Sequence, residues 1–324
     1  MFTIKELQDK IDFCLASQKF EGNPTLLYEP IKYTLSQGGK RLRPLLVLLA
    51  CDLFDGDIEK AVYPAIGLEI FHNFTLLHDD IMDKAPIRRG KETVYKKWNT
   101  NIAILSGDTM FAMAYEYMLN TDNKVIPKIL PVLNQTAIEV CEGQQFDMNF
   151  ETQENVSIAD YIEMIRLKTA VLLGGSLKIG ALIGGASMED ADYLYKFGIN
   201  IGLAFQLKDD LLDVFSDVEK FGKMTGGDIL TNKKTYLYLK AYELAKDEDL
   251  QKLDFYFGLS ENEGEKKVNG VKSVYNNLNI EQLTIDEMKR YYDLALLEFD
   301  KLNISTEKKQ QLNDFTKLLM NRES

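Results

Sequence analysis

Six aspartates carry most of the chemistry legible in this chain. They fall in two clusters, His78-Asp79-Asp80-Ile81-Met82-Asp83 and Lys208-Asp209-Asp210-Leu211-Leu212-Asp213. Each cluster places carboxylates at i, i+1 and i+4 within an apolar stretch. On a helix of 3.6 residues per turn, the i and i+4 groups point the same way, one turn apart. Three such charges on a largely apolar segment repel one another unless a cation neutralises them. Hard carboxylate oxygens with coordination positions to spare suit Mg²⁺, which keeps waters and fills its shell from phosphate oxygens.

The surrounding pattern predicts the helices that such clusters need. Ile66, Ile70, Phe74, Leu77 and Ile81 form a stripe leading into the first cluster, and Leu203, Leu207, Leu211 and Val214 form another through the second. With 7 prolines and no strongly alternating segment, the chain reads as all-α. Expected loops are 55–57, 84–91, 121–124, 221–232 and 260–270. The pairs Gly174-Gly175 and Gly184-Gly185 are expected at close helix contacts or kinks. The N-terminal Met1-Phe-Thr-Ile-Lys-Glu reads as an amphipathic helix start rather than a secretory signal.

Composition bounds the rest. The 324 residues are 45% hydrophobic and 27% charged, as in a globular protein with a large core, and a single domain over 1–324 is expected. A net charge of −12 argues against nucleic acid as a partner. Cys14, Cys51 and Cys141 are odd in number and widely spaced, which implies neither disulfides nor zinc and points to a reducing cytoplasm. The apolar run Leu45–Ala50 is too short to span a bilayer, so no transmembrane segment is expected.

Each acidic cluster is followed by a basic one. Lys84, Arg88, Arg89, Lys91, Lys96 and Lys97 follow the first; Lys220, Lys223, Lys233 and Lys234 follow the second. Carboxylates that hold a metal, then cations that hold phosphate oxygens, make a diphosphate clamp. His72 and His78, the only histidines, stand six apart and so on different helix faces, which disfavours a shared metal site. By spacing alone both are core histidines. Apolar residues at 211, 212, 214 and 215 exclude a calcium loop around Asp209.

Further motifs stand in order around these clusters: Gly38-Gly39-Lys40-Arg41-Leu42-Arg43-Pro44, Arg88-Arg89-Gly90, Ser106-Gly107-Asp108, Gly143-Gln144 with Asp147, Lys168-Thr169, Phe205-Gln206, Lys223, and Gly226-Gly227-Asp228 followed by Lys233. Together they resemble the trans-isoprenyl (polyprenyl) diphosphate synthases of short-chain type, over residues 35 to 235. The resemblance implies the isoprenoid synthase fold: long helices around a deep cavity, with the two Asp-rich motifs at its mouth, in a homodimer.

It also implies roles. Asp79, Asp83 and Asp209 would ligate Mg²⁺, with Asp80 and Asp213 in supporting or water-mediated contact, three ions serving each substrate-bound site, and Asp210 in the same catalytic set. Lys168 belongs to that set and, with Arg88, Thr169, Gln206, Lys223 and Lys233, would contact the allylic diphosphate. Lys40, Arg43, His72 and Arg89 would hold isopentenyl diphosphate; His78 stays structural. One diphosphate must leave and receives the metals; the other stays and receives fixed cations only.

The reaction so implied is ionisation, condensation and elimination, with charge on the departing diphosphate neutralised, water excluded and two substrates held in attack geometry. Phe74, and Phe71 about one turn deeper, would floor the tail cavity and limit the product to farnesyl or geranylgeranyl length, with geranylgeranyl favoured. A class I terpene cyclase is disfavoured, because its second metal motif usually mixes Asn, Ser or Thr with Glu and it needs no second diphosphate pocket. A non-catalytic subunit is disfavoured because all six aspartates are kept.

Overall fold

The computed structural model describes residues 2–216 and 226–320. Two compact units emerge, residues 1–134, 175–192 and 303–309, and residues 135–174, 193–302 and 310–324. Both are helical, apart from a two-stranded hairpin in the first.

In the first unit the chain runs through α1 (Ile4–Ser17), α2 (Thr25–Ser36), α3 (Leu42–Leu53) and α4 (Ile58–Met82). Thr3 and Glu6 close a capping box on α1, so the N-terminus does begin a helix. α3 is apolar nearly all round and buried from Pro44 to Leu53, as a central helix must be. α4 packs against α3 and against Thr100–Met118. Its stripe residues Ile66, Ile70 and Leu77 are buried.

The expected loop 84–91 is instead partly a hairpin. β1 (Ile87–Arg88) pairs antiparallel with β2 (Lys91–Glu92), Arg88 facing Lys91. Arg89 (φ 52°) and Gly90 (φ 74°) form the two-residue turn, and positive φ at both central positions is what a type I′ turn requires. Gly184 meets the backbone of Cys51 closely, as the glycine-pair reading anticipates.

The second unit holds the helix Ile158–Ile165, the π-helical turn Arg166–Ala170 and most of Met188–Phe215. Its core gathers Tyr161, Leu203, Leu207, Leu211 and Val214 with Leu237, Leu253, Val271 and Tyr275. The expected loop 260–270 is wrong for most of its length. A 3₁₀ turn covers Glu261–Glu263, and an α-helix covers Gly264–Asn277. Gly270 looks like a breaker in sequence, but a Cβ there would sit 2.2 Å from the Tyr256 ring, so its smallness serves packing. Among the described residues, no helix is long and apolar enough to cross a membrane.

Candidate active site

The first acidic cluster ends α4. Asp79 and Asp80 lie in the final turn and Asp83 is the C-cap. A Schellman closure stops the helix there: Ala85 N–H donates to Asp80 O at 3.0 Å and Lys84, in the left-handed region at φ 52°, donates to Ile81 O at 3.3 Å. Carboxylates at this end meet the negative pole of the helix dipole, which disfavours them without a cation. Asp83 is exposed and Asp79 half-buried, whereas Asp80 turns inward at 5% exposure. Arg88 Nε donates to Asp80 Oδ1 at 2.7 Å. Burial pushes the Asp80 carboxyl up, and Arg88 opposes that shift.

Arginines of this unit meet where the Gly38–Arg41 segment leads into α3. Arg89, carried out by the hairpin turn, donates through Nη1 to Gly38 O. A Cβ on Gly39 would stand 2.9 Å from that guanidinium, so glycine there admits it. Lys40 is exposed and Arg43 half-buried. His72 feels burial first, then the charges of Arg43, Arg89, Arg88 and Arg41, and its imidazole is held well below the ordinary range. A half-buried neutral ring among four guanidiniums is an anion-binding environment. His78 is different: Nε2 lies 3.2 Å from Ile104 O, its ring stacks edge-on to Phe74 at 4.8 Å, and Gly107 leaves room for it. These contacts suit a packing role.

Phe71 and Phe74 lie 5.6 Å apart by ring centroid, and Phe111 stacks on both, at 6.0 and 5.3 Å. Phe71 is wholly buried; Phe74 is only half-buried. Phe111 had no signal in the sequence, because its place depends on how Thr100–Met118 packs.

The second cluster also lies near a helix C-terminus, that of Met188–Phe215. Asp209 is exposed, Asp213 half-buried and Asp210 buried at 5% exposure. Asp210 accepts from the Tyr161 hydroxyl and from Gln206 Nε2 at 3.1 Å. Gln206 Oε1 accepts in turn from Thr169 at 3.1 Å. Asp213 accepts the backbone N–H of Asp228 at 2.9 Å. Lys168 pairs with Asp147 at 2.6 Å.

Charge in this unit is unbalanced. Burial, then the Asp228 charge, raises Asp210 to about 7, against the opposing bonds from Tyr161 and Gln206 and the charge of Lys233. Burial raises Asp228 to about 6, with Lys233 opposing and Asp213 and Asp147 reinforcing. Asp147 is lowered instead, because Lys233 and Lys168 overcome its burial. Among the described residues, the carboxyl groups of Asp147, Asp210, Asp213 and Asp228 act on one another with Lys168 and Lys233 among them, an environment that favours added positive charge.

Lys168 and Thr169 lie in the π-turn Arg166–Ala170, which was not anticipated. Gly143 is its counterpart: a Cβ there would stand 2.2 Å from the Lys168 nitrogen. π-bulges are rare and often mark functional positions. Tyr161 and Asp228 received no role from sequence reasoning. Nothing in the spacing announces Tyr161, 49 residues from Asp210. Lys223 lies outside the described residues.

Among the described residues, no three carboxylate, imidazole or thiol groups are arranged to hold a metal ion by themselves. The donors present nevertheless fit magnesium. They are hard oxygens at the negative ends of helices, with accessible members in both clusters, and magnesium accepts water and phosphate for the remainder.

The sequence model for polyprenyl synthetase matches residues 24–278. A geranylgeranyl diphosphate synthase of Methanosarcina mazei is 40% identical over 242 residues, 74% of this chain and 75% of that one. A crystal structure of a geranylgeranyl pyrophosphate synthase superposes with a TM-score of 0.95 at 45% identity, covering 100% of both chains. That of a geranylgeranyl pyrophosphate synthetase from Pyrococcus horikoshii gives 0.91 at 34% identity, covering 98% of this chain and 97% of the other.

Proposed function

The chain belongs to the polyprenyl synthetase family, with its all-α fold, and from that premise we propose a magnesium-dependent synthase that condenses isopentenyl diphosphate with an allylic diphosphate, giving a short-chain trans-prenyl diphosphate. It is a trans-prenyltransferase. The observation that carries the reading is the grouping of Arg43 and Arg89 about His72, with Arg89 bonded to Gly38 O two residues from Lys40. A cation-rich group beside a carboxylate cluster suits an enzyme with two diphosphates to treat differently. A terpene cyclase has one.

In this reading Asp79, Asp83, Asp209 and Asp213 would hold magnesium, three ions with the allylic diphosphate bound, and the metal would supply neutralisation of the charge that develops on that diphosphate as it departs. Arg88, Lys168, Lys223 and Lys233 hold its oxygens. Asp80 fixes Arg88, and Asp147 holds the Lys168 ammonium in place. Thr169 and Gln206 present oxygen dipoles towards the developing allylic cation, their orientation fixed by the chain from Thr169 through Gln206 to Asp210. Lys40, Arg43, His72 and Arg89 retain isopentenyl diphosphate, which need not ionise. The leaving diphosphate accepts the proton lost at the end, so no side-chain base is required.

In this reading the chain is a single synthase domain, and its active form is a homodimer. Exposed Ile104 and Leu105 in the first unit, and exposed Ile138 and Phe146 in the second, supply apolar surface for such an interface. The product is geranylgeranyl diphosphate, ahead of farnesyl diphosphate, with Phe74 and Phe71 closing the tail cavity. The enzyme works in the cytoplasm.

The test is incubation with Mg²⁺, isopentenyl diphosphate and dimethylallyl diphosphate, with products identified by mass. Elongated diphosphates support the proposal. Hydrocarbons would replace it with a cyclase, and no turnover with a non-catalytic subunit.

A further inference from the structure

Beneath the proposed isopentenyl pocket lies a buried polar group that touches no substrate in the reading above. Glu69, at 2% exposure, projects from α4 into the first unit. Its Oε1 accepts from Arg41 Nη1 and, at 2.9 Å, from Asn73 Nδ2, while Asn73 also donates to the Glu69 carbonyl at 2.8 Å. Arg41 and Asn73 are themselves buried, at 8% and 1% exposure. Arg41 Nη2 donates to Leu35 O at 2.7 Å, tying the end of α2 into the same group.

Arg41 is also the N-cap of α3, in the left-handed region at φ 48°. A non-glycine residue is seldom found there unless its surroundings hold it. One residue thus fixes three elements: its backbone starts α3, and its side chain reaches α2 and α4. Its neighbours on either side are Lys40, adjacent, and Arg43, two residues on. The opposite edge of the loop is clipped by Arg89 on Gly38 O. Lys40 therefore sits in a segment fastened at both ends.

The charges follow the same logic. Arg41, Arg43, Arg88 and Arg89 all act electrostatically on His72, and so many cations repel one another. Two carboxylates stand among them, Asp80 on Arg88 and Glu69 on Arg41; Glu69 acts more strongly than Asp80 in supporting the charge of Arg89, which burial disfavours. Being buried and engaged by Arg41 and Asn73, it offers no open face to a metal ion.

We propose that Arg41, Glu69 and Asn73 form a positioning group that fixes Lys40 and Arg43 for the diphosphate that is not ionised. The inference rests on the assignment of the isopentenyl site above. These three are positioning residues and touch neither substrate.

The experiment is steady-state kinetics on full-length Glu69→Gln and Asn73→Ala, titrating each substrate with the other saturating. The KM for isopentenyl diphosphate should rise at least tenfold. The kcat, the KM for the allylic substrate and its hydrolysis without isopentenyl diphosphate should stay within threefold. A general packing defect would move all of these together, and that result, or an isopentenyl KM within twofold of the parent, overturns the proposal.

Glu69→Gln leaves Arg41 with a weakened buried partner and could unfold. The double variant Arg41→Leu with Glu69→Leu removes both charges and should fold, with the same selective rise in KM. If every variant fails to fold, the group is a folding requirement and the proposal falls. Lys40→Ala separates this inference from its premise. If that variant leaves the isopentenyl KM unchanged, the site assignment fails; if it raises it and Glu69→Gln does not, only the positioning role fails.

Discussion

The hydroxyl of Tyr161 donates to Asp210 from a helix 49 residues earlier in the chain, and both groups are buried. Burial and the Asp210 charge hold the Tyr161 phenol well above its ordinary range, so it remains a donor at any working pH. The bond turns the middle carboxylate of the second cluster inward and leaves Asp209 and Asp213 as the accessible pair. Tyr161→Phe strips Asp210 of one donor without changing side-chain volume much. A buried acceptor left short costs about 1–3 kcal/mol. Urea denaturation of the metal-free protein should show that loss, and the magnesium concentration needed for half-maximal activity should rise several-fold. Unchanged stability would mean that the bond contributes nothing net.

Magnesium alone should stabilise the protein little, because no three side-chain ligands among the described residues are arranged to hold a metal ion unaided. Magnesium with inorganic pyrophosphate should stabilise it far more, since phosphate oxygens complete the shell. At a ligand concentration about 100 times Kd, linkage gives about 2.7 kcal/mol. Thermal shift assays with magnesium, pyrophosphate and both together check this. Asp209→Ala and Asp79→Ala should each abolish the combined effect and reduce kcat by about 10²–10³, the usual loss when one electrostatic stabiliser is removed. Equal shifts with magnesium alone and with both would contradict the incomplete-site reading.

His72 gives a pH dependence of definite sign. Burial and the surrounding arginines depress its folded-state pKa well below 6.5. Above 6.5 the ring is neutral whether the chain is folded or not, and it contributes no slope. Below 6.5 the unfolded chain takes up a proton that the folded chain refuses. Stability therefore falls as pH drops, by up to about 1.4 kcal/mol per pH unit until the folded value is reached. Urea denaturation of the parent and His72→Gln between pH 8 and 5.5 should give curves that diverge only on the acid side. A constant offset would show that the imidazole titrates normally.

These residues show what a sequence can carry and what it cannot. The helices bearing both clusters were legible because Ile66, Ile70 and Leu77, or Leu203, Leu207 and Leu211, repeat with the helical period and are buried accordingly. Gly270 misled, because a packing glycine and a helix breaker look alike until the Tyr256 ring is seen against it. The π-turn at Lys168-Thr169 depends on Gly143 letting two backbones approach, which no local pattern encodes. Tyr161 and Glu69 were given no role for a related reason. Each takes its meaning from a partner dozens of residues away: Asp210 for the first, Arg41 for the second.

Product length tests the aromatic stack. Phe74 is half-buried, so it is the ring that a growing tail would meet; Phe71, wholly buried, backs it, with Phe111 against both. Phe74→Ala removes the accessible ring and should lengthen the main product by at least one five-carbon unit. Phe71→Ala alone should leave length unchanged while lowering stability by about 3–5 kcal/mol, the cost of emptying a closed aromatic site. The double variant should give the longest products, because the space behind Phe74 then opens as well. Mass analysis of dephosphorylated products, with each variant's melting temperature measured alongside, reads both effects. If Phe74→Ala gives the parent's product and Phe71→Ala alone lengthens it, the order of the two rings along the cavity is reversed and Phe74 is plain packing.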